Sequence, residues 1–190
     1  MARITAYPKG TSFGRTPPAM AIPASLLGIW VVADNVETIV IEKGRDGMSE
    51  RITLIENEYA ILWHYPDLGI VHHKFLQPIS DEAFRNVLMT GLNVLREHKA
   101  QKWFSDDRNN SILPPEDSAW SQEIWLPLAL DTDWKYWAVL PPTKARGRVN
   151  MERLTGFVGE QHKVRIESFT DPDEAWQWLL RQGVEGSSAD

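Results

Sequence analysis

The chain has 190 residues, 43% hydrophobic and 24% charged, a composition typical of one globular domain that excludes a low-complexity or wholly disordered protein. Its 20 lysines and arginines are outnumbered by 26 aspartates and glutamates, giving a net charge of −6, so no general basic surface is available for a phosphate backbone and no nucleic-acid partner is expected. The absence of cysteine excludes disulfides, thiolate metal ligands and thiol catalysis.

Residues 1–47 are predicted to be a loosely structured N-terminal extension, because their first half is rich in proline and glycine and shows no helical or strand period. The apolar run 19–33 is similar to the apolar region of a secretory signal. Pro23 interrupts that run, however, and it is shorter than the roughly 20 residues that span a bilayer. We therefore favour a domain that begins at Met48, with residues 38–41 as an added strand and no membrane span.

The domain is predicted to begin with three antiparallel strands. Residues 51–57 alternate apolar and polar side chains, 59–65 are apolar and aromatic, and 70–76 resume a strand after the turn chemistry of 66–69. A helix should follow, with Ser80 as its N-cap, since acids occupy its first turn and bases its end. Its apolar residues at helical spacing are Phe84, Val87, Leu88, Leu92 and Leu95.

Strands and helices alternate through the rest of the chain. A short strand begins at Trp103, and Pro114 and Pro115 open a second helix. The inner face of that helix is predicted to carry Trp120, Ile124, Trp125 and Leu128. Residues 134–140 are almost continuously apolar, which is typical of a strand covered on both faces, so we expect this strand at the sheet centre.

Two helices and a strand complete the predicted domain. Asn150 is expected to cap a third helix with Met151, Leu154 and Phe157 on its inner face, and residues 164–167 alternate as a strand. The last helix has the strongest start signal: Asp171 as N-cap, Pro172 at its first position and Glu174 in a capping box. Trp176, Leu179 and Leu180 are expected to face inward from it. Trp176 and Trp178 are about 200° apart on a helix, so only one of them can lie on the buried face.

The predicted fold class is therefore α/β, with a mixed sheet that has an antiparallel three-strand start followed by βα repeats. Strand–helix–strand connections require parallel pairing with right-handed crossovers. The domain is expected to span residues 48–183, followed by a frayed tail over residues 184–190.

Residues 50–182 resemble small bacterial STAS-like proteins. The resemblance rests on the order of the elements, on the Asp-Asp-Arg-Asn-Asn stretch after the Trp103 strand, on Trp120 and Trp125 in the next helix and on the Lys135-Tyr136-Trp137 strand. These proteins are related in fold to anti-sigma-factor antagonists and are grouped with lipid-transfer domains of the CRAL-TRIO type. The resemblance implies a STAS-like mixed sheet in a non-enzymatic, cytoplasmic binding or regulatory module. Its partner would be another protein or a small anionic or lipid-like ligand, and a homodimer is left open.

The partner-switching role of the antagonists is not carried over to this chain. In those proteins the phosphorylated serine lies in an Asp-Ser-Ser-Gly stretch, which is absent here. Ser111 and Ser118 occupy the corresponding segment, but neither is followed by Ser-Gly.

The polar segment after the Trp103 strand is the predicted ligand site. Ligands of open α/β sheets bind beyond the carboxyl ends of parallel strands, where the strand order reverses. We expect Arg108 to contact an anionic group, Asp107 to orient Arg108, and Asn109 to add a neutral hydrogen bond beside Asp106. The structural alternative is a local ion-pair network in which Arg108 pairs with a neighbouring acid and shapes the loop.

A small enzyme that uses Asp107 and Arg108 is the alternative function. Asp106 and Asp107 would point to opposite faces of a strand and so cannot share a proton as a catalytic dyad. His72 and His73 face opposite ways for the same reason, and the spacing predicts no metal site. The chain contains neither a nucleophile elbow nor a glycine-rich phosphate or dinucleotide loop, so we assign no catalytic residue and no cofactor.

Overall fold

The computed structural model describes residues 40–43, 49–160 and 163–183. They contain a seven-stranded sheet whose strands are neighbours in chain order, from β1 to β7. The strands are β1 Val40–Lys43, β2 Glu50–Glu56, β3 Ala60–Tyr65, β4 Ile70–Phe75, β5 Lys102–Asp106, β6 Tyr136–Leu140 and β7 Arg165–Ser168. The helices are α1 Asp81–Glu97, α2 Pro115–Trp120, a π-helical turn Ser121–Trp125, α3 Leu126–Leu130, α4 Ala145–Glu160 and α5 Pro172–Arg181, with a 3-10 turn at Pro66–Leu68.

The mixed sheet of the predicted fold class is confirmed. Strands β1 to β4 pair antiparallel, and β4 to β7 pair parallel. The antiparallel part has four strands rather than three, because Val40–Lys43 pairs with β2. This strand overlaps the added strand predicted at residues 38–41, and it lies before Met48, where the sequence predicts the start of the domain. The rest of the predicted extension and the tail 184–190 lie outside the described residues.

Among the described residues, helices cover both faces of the sheet in its parallel half. The larger hydrophobic core lies between the sheet and the helices α1, α2, α3 and α4, and it includes Trp103, Trp125 and Trp137. A smaller core lies on the opposite face, where α5 packs on β5 and β6 through Ala175 and Leu179. The helices of the three crossover connections share one face because each right-handed connection steps to the next strand in the same direction.

Two expectations about sheet topology are wrong. The strand order does not reverse anywhere in the described sheet, so the predicted site does not lie at a topological switch point. The strand β6 is not central but second from the β7 edge. It is continuously apolar because α5 and the larger core cover its two faces, and not because of its position in the sheet.

The predicted inner faces of two helices also need correction. Ile124 is half exposed rather than buried, because it lies in the π-helical turn, whose wider spacing rotates it toward solvent while Trp125 stays buried. Helix α4 begins at Ala145, five residues before the predicted cap Asn150, and Val158 is buried, whereas Phe157 is half exposed.

Helix α5 begins as the sequence predicts. The Asp171 carboxylate accepts hydrogen bonds from the backbone N–H groups of Asp173 and Glu174, so the N-cap is confirmed. The buried tryptophan is Trp178, however, and Trp176 is only half-buried, against the rings of β3 and β5.

Candidate small-molecule binding site

The carboxyl end of β5 sends neighbouring side chains to opposite faces of the sheet. Trp103, Ser105 and Asp107 lie on the face covered by α1, α2, α3 and α4, whereas Phe104 belongs to the core under α5. Asp106 follows Phe104 in this alternation. The four residues predicted to form one ligand site are therefore divided between the two faces.

On the α5 face, Asp106 and Arg108 form a closed ion pair. The Arg108 Nε and Nη2 atoms donate to the two carboxylate oxygens of Asp106, each at 2.8 Å. Burial alone would raise the pKa of Asp106, but the Arg108 hydrogen bonds and charge outweigh burial and hold that pKa below its ordinary value. The hydrogen bond to Asp106 in turn raises the pKa of Arg108, and the Asp171 carboxylate adds to this effect. Arg108 is thus oriented by Asp106 and not by Asp107. This pairing with a neighbouring acid is the arrangement that the local ion-pair alternative describes. Asn109 is exposed.

On the opposite face, Asp107 is buried without a matching cation. Only 4% of its surface is exposed. One carboxylate oxygen, Oδ1, lies 3.4 Å from His73 Nε2, which is a long hydrogen bond. The other oxygen, Oδ2, has no hydrogen-bond partner among the described residues. An unmatched carboxylate oxygen inside a protein is costly, so Asp107 is the unusual group of this region.

The neighbour of Asp107, His73, is held in one tautomer by Trp103. The Trp103 indole N–H donates to His73 Nδ1 at 3.0 Å. An indole can only donate, so Nδ1 accepts and the neutral ring carries its proton on Nε2, toward Asp107. Both ring nitrogens of His73 are therefore engaged. Ser105 lies beside His73 in the parallel register of β4 and β5, and its hydroxyl accepts from Trp137 Nε1 at 2.7 Å.

Asp107 lines a cavity between the sheet and the helices. The cavity volume is about 80 Å³. Its walls are largely apolar and aromatic, and among the described residues no lysine or arginine lines it. The lining side chains are His73, Phe75, Phe84, Leu88, Trp103, Leu113, Trp125, Trp137, Met151 and Leu154, with the polar Ser105, Asp107, Asn110, Ser111, Ser118, Ser121, Gln122 and Asn150 among them.

Hydrogen bonds fix the helices that form these walls. The Trp125 indole, at the end of the π-helical turn, donates to the Leu88 backbone carbonyl of α1 at 2.9 Å. Asp117 at the start of α2 accepts from the Asp81 backbone N–H at 2.6 Å and from the Arg85 guanidinium at 3.0 Å. Asp117 thereby joins the first turns of α1 and α2, and the cavity is bounded by elements tied to each other.

Two further histidines, the buried His64 and the half-buried His72, do not belong to the cavity. His72 faces the α5 side, where its ring stacks on Phe104 at a centroid distance of 4.3 Å, and its buried Nδ1 atom has no partner among the described residues. Burial is the main cause that lowers the pKa of His72 to about 3. Burial, followed by the charge of His98, lowers the pKa of His64 to about 4. Both rings are thus held in the neutral form near pH 7.

Within the described ranges, no three histidine, aspartate or glutamate side chains are grouped so as to hold a metal ion. None of the helices described is both long and apolar enough to cross a membrane. The chain matches no protein-family model, no curated protein and no solved structure.

The sequence interpretation overlooked the residues that surround Asp107. From the sequence, His73 is weighed only as a metal ligand, and Trp103 and Trp137 are weighed as core residues or as the lining of an apolar ligand cavity. The period of two along β5 was the available signal, because the apolar side chain of Trp103 predicts the same face for Ser105 and Asp107. The histidine comes from the strand that pairs with β5, and the sequence alone does not show which strand that is.

Proposed function

We propose that the protein is a STAS-like, non-enzymatic binding module that holds a small ligand in the cavity beside Asp107. The observation that carries the proposal is the buried carboxylate oxygen, Oδ2, that has no partner. A hydrogen-bond donor on a ligand would satisfy it. Ligand sites are mostly apolar cavities with a few polar groups that set orientation, and the residues around Asp107 match that description.

The volume of the cavity limits the ligand to a small group. An engineered apolar cavity of about 150 Å³ holds one benzene molecule, so a cavity of about 80 Å³ has room for only a few non-hydrogen atoms. A lipid tail would need α4 or the π-helical turn to move. An anionic ligand is disfavoured, because the cavity offers a carboxylate and no lysine or arginine among the residues described.

We favour binding over catalysis because the polar groups that an enzyme would use already have partners within the protein. An enzyme that joins Asp107 to Arg108 would need both on one face, but Arg108 pairs with Asp106 on the other. His73 has no nitrogen left to take a proton from a substrate, because one accepts from Trp103 and the other faces Asp107. The proposal includes a cytoplasmic location, which the lack of cysteine supports. The experiment below also tests for a homodimer or a protein partner.

The test combines ligand binding with a variant that fills the cavity. The full chain is examined by native mass spectrometry for a retained small molecule, and by thermal unfolding against a library of three- to six-atom fragments. Met151→Trp places a large ring at a half-buried position of the cavity wall. Val149→Trp, on the same helix but exposed, is the matched control. We expect Met151→Trp to abolish retention of the molecule and the stabilisation by fragments, and Val149→Trp to keep both. Equal binding by both variants would place the ligand elsewhere, and a retained protein mass would indicate a protein partner.

A further inference from the structure

We infer that the ligand is a small organic cation, whose ammonium group pairs with Asp107 and is enclosed by the aromatic walls of the cavity. This inference rests on the proposed function and adds the chemical class of the ligand. Two independent observations carry it: the buried Asp107 oxygen that has no partner among the described residues, and the commitment of the tryptophan N–H groups.

Among the described residues, no lysine or arginine lines the cavity that Asp107 faces. Arg108 is consumed by the two bonds to Asp106 on the other face of the sheet. His73 in its neutral tautomer offers a single long hydrogen bond to Oδ1 and leaves Oδ2 unmatched. A positively charged donor makes a stronger hydrogen bond to a carboxylate than a neutral donor does, and it also removes the buried net charge.

The three tryptophans of the cavity have no N–H group left for a ligand. Trp103 donates to His73, Trp137 donates to Ser105, and Trp125 donates to the backbone of α1. What these indoles still offer is the surface of their rings. Trp103 and Trp125 lie edge to face with centroids 5.3 Å apart. Ring faces attract cations through their quadrupole, whereas an anion would meet electron-rich surface without donors from the indoles.

The probes are three short molecules with three carbon atoms each: propylammonium, 1-propanol and propionate. The full chain is labelled with ¹⁵N, and the indole N–H signals of Trp103, Trp125 and Trp137 are assigned by single Trp→Phe substitutions. Each probe is titrated at pH 7, where a primary amine is charged. We expect propylammonium to shift these signals and to bind about tenfold more tightly than 1-propanol. Propionate should leave the signals unchanged.

Two neighbouring substitutions supply the matched comparison. Asp107→Asn keeps the shape but removes the charge, and it should weaken propylammonium about tenfold while changing 1-propanol less than twofold. Asp106→Asn makes the same change one residue away on the opposite face and should alter neither affinity. If Asp107→Asn fails to fold, the order of the three probes on the unmodified chain decides by itself.

The outcomes separate this inference from the function on which it rests. Binding of 1-propanol as tight as that of propylammonium, or full cation binding by Asp107→Asn, would overturn the inference and leave a small-ligand site in place. Absence of any shift in the three indole signals with all probes and with the fragment library would overturn both.

Discussion

The end of β5 places two carboxylates, one residue apart, in opposite electrostatic situations. Asp106 points to the α5 face and receives two short hydrogen bonds from a guanidinium. Asp107 points to the cavity face and has one long contact with a neutral imidazole. Both are almost fully buried, at 3% and 4% exposed. The comparison teaches that burial does not separate a structural carboxylate from a candidate binding group, whereas the number of satisfied oxygens does.

The largest difference in stability between the two faces of the sheet is expected when one tryptophan is removed from each face. Trp137 is 3% exposed in the larger core, so Trp137→Ala should lower the free energy of unfolding by about 3–5 kcal/mol through lost burial and a new void. Trp176 is only half-buried on the α5 face, so Trp176→Ala should cost about 1–2 kcal/mol. Urea unfolding of both variants measures the difference. A near-neutral Trp137→Ala would contradict the placement of β6 under the larger core.

The next largest change in stability is expected from Gly91→Ala, because α1 approaches the cavity face of the sheet closely at Gly91. A Cβ atom at Gly91 would lie 2.3 Å from the Trp103 ring, so Gly91→Ala should cost about 1–3 kcal/mol through overpacking. Gly156 in α4 has no atom within 4 Å of the corresponding position, and Gly156→Ala should instead stabilise the helix by about 0.5–1 kcal/mol. Thermal unfolding of the pair is the measurement, and a stabilising Gly91→Ala would mean that α1 is not seated on Trp103.

The two carboxylates themselves should respond differently to loss of charge. Asp106→Asn weakens two charge-assisted bonds to Arg108 and should cost about 1–2 kcal/mol. Asp107→Asn removes a buried charge that lacks a partner, so its effect should be neutral or stabilising by up to about 1 kcal/mol. Chemical unfolding at pH 7 compares them. The reverse order would show that Asp107, and not Asp106, belongs to the structural network.

The smallest change in the free energy of unfolding at neutral pH is expected from His72→Phe, on the α5 face. This substitution keeps the ring stack on Phe104 and removes a nitrogen that has no partner among the described residues. The pKa of His72 is about 3 in the folded chain, below its ordinary value of 6.5. Below pH 6.5 the unfolded chain therefore binds a proton that the folded chain does not. The free energy of unfolding should fall as the pH drops from about 6.5 to about 3, by at most about 1.4 kcal/mol per pH unit from this group.

The pH window distinguishes His72 from Asp106 on the same face. His72→Phe should flatten the stability profile between about pH 6.5 and 3, with a remaining slope from His64 down to about pH 4. The lowered pKa of Asp106 gives stability that is present above its ordinary value of 3.8 and is lost as the pH falls further. Asp106→Asn should therefore change only the most acidic part. An unchanged slope in His72→Phe near pH 5 would contradict the burial of that ring.

Much of the fold could be predicted from sequence patterns, because the signals are local. The α5 N-cap at Asp171 depends on residues within one turn, and it is confirmed. The parallel pairing of β4, β5 and β6 follows from the helices between them. The face of Ile124 was predicted wrongly, because a π-helical turn changes the period and nothing in the local pattern signals that change.

The candidate site was found only in part, for a similar reason. The sequence points to the segment after β5 as the ligand site, and it predicts the opposite orientation of Asp106 and Asp107. It did not lead to the partner of Arg108, since two acids are close enough along the chain to pair with it and only the observed contact distinguishes them. It also did not connect Asp107 with His73, which is 34 residues away and reaches it through the β4–β5 register.

The sequence by itself determined the alternation of strands and helices, the mixed sheet and the placement of two adjacent carboxylates on opposite faces, since these follow from periods of two and 3.6 and from turn chemistry. The tertiary structure decided which carboxylate is neutralised and which is left with a free oxygen. That outcome depends on long-range pairing: α5 brings Asp171 near Arg108 on one face, while β4 brings a histidine already bound to Trp103 on the other. Electrostatic satisfaction is a property of contacts between distant segments, and no local pattern encodes it.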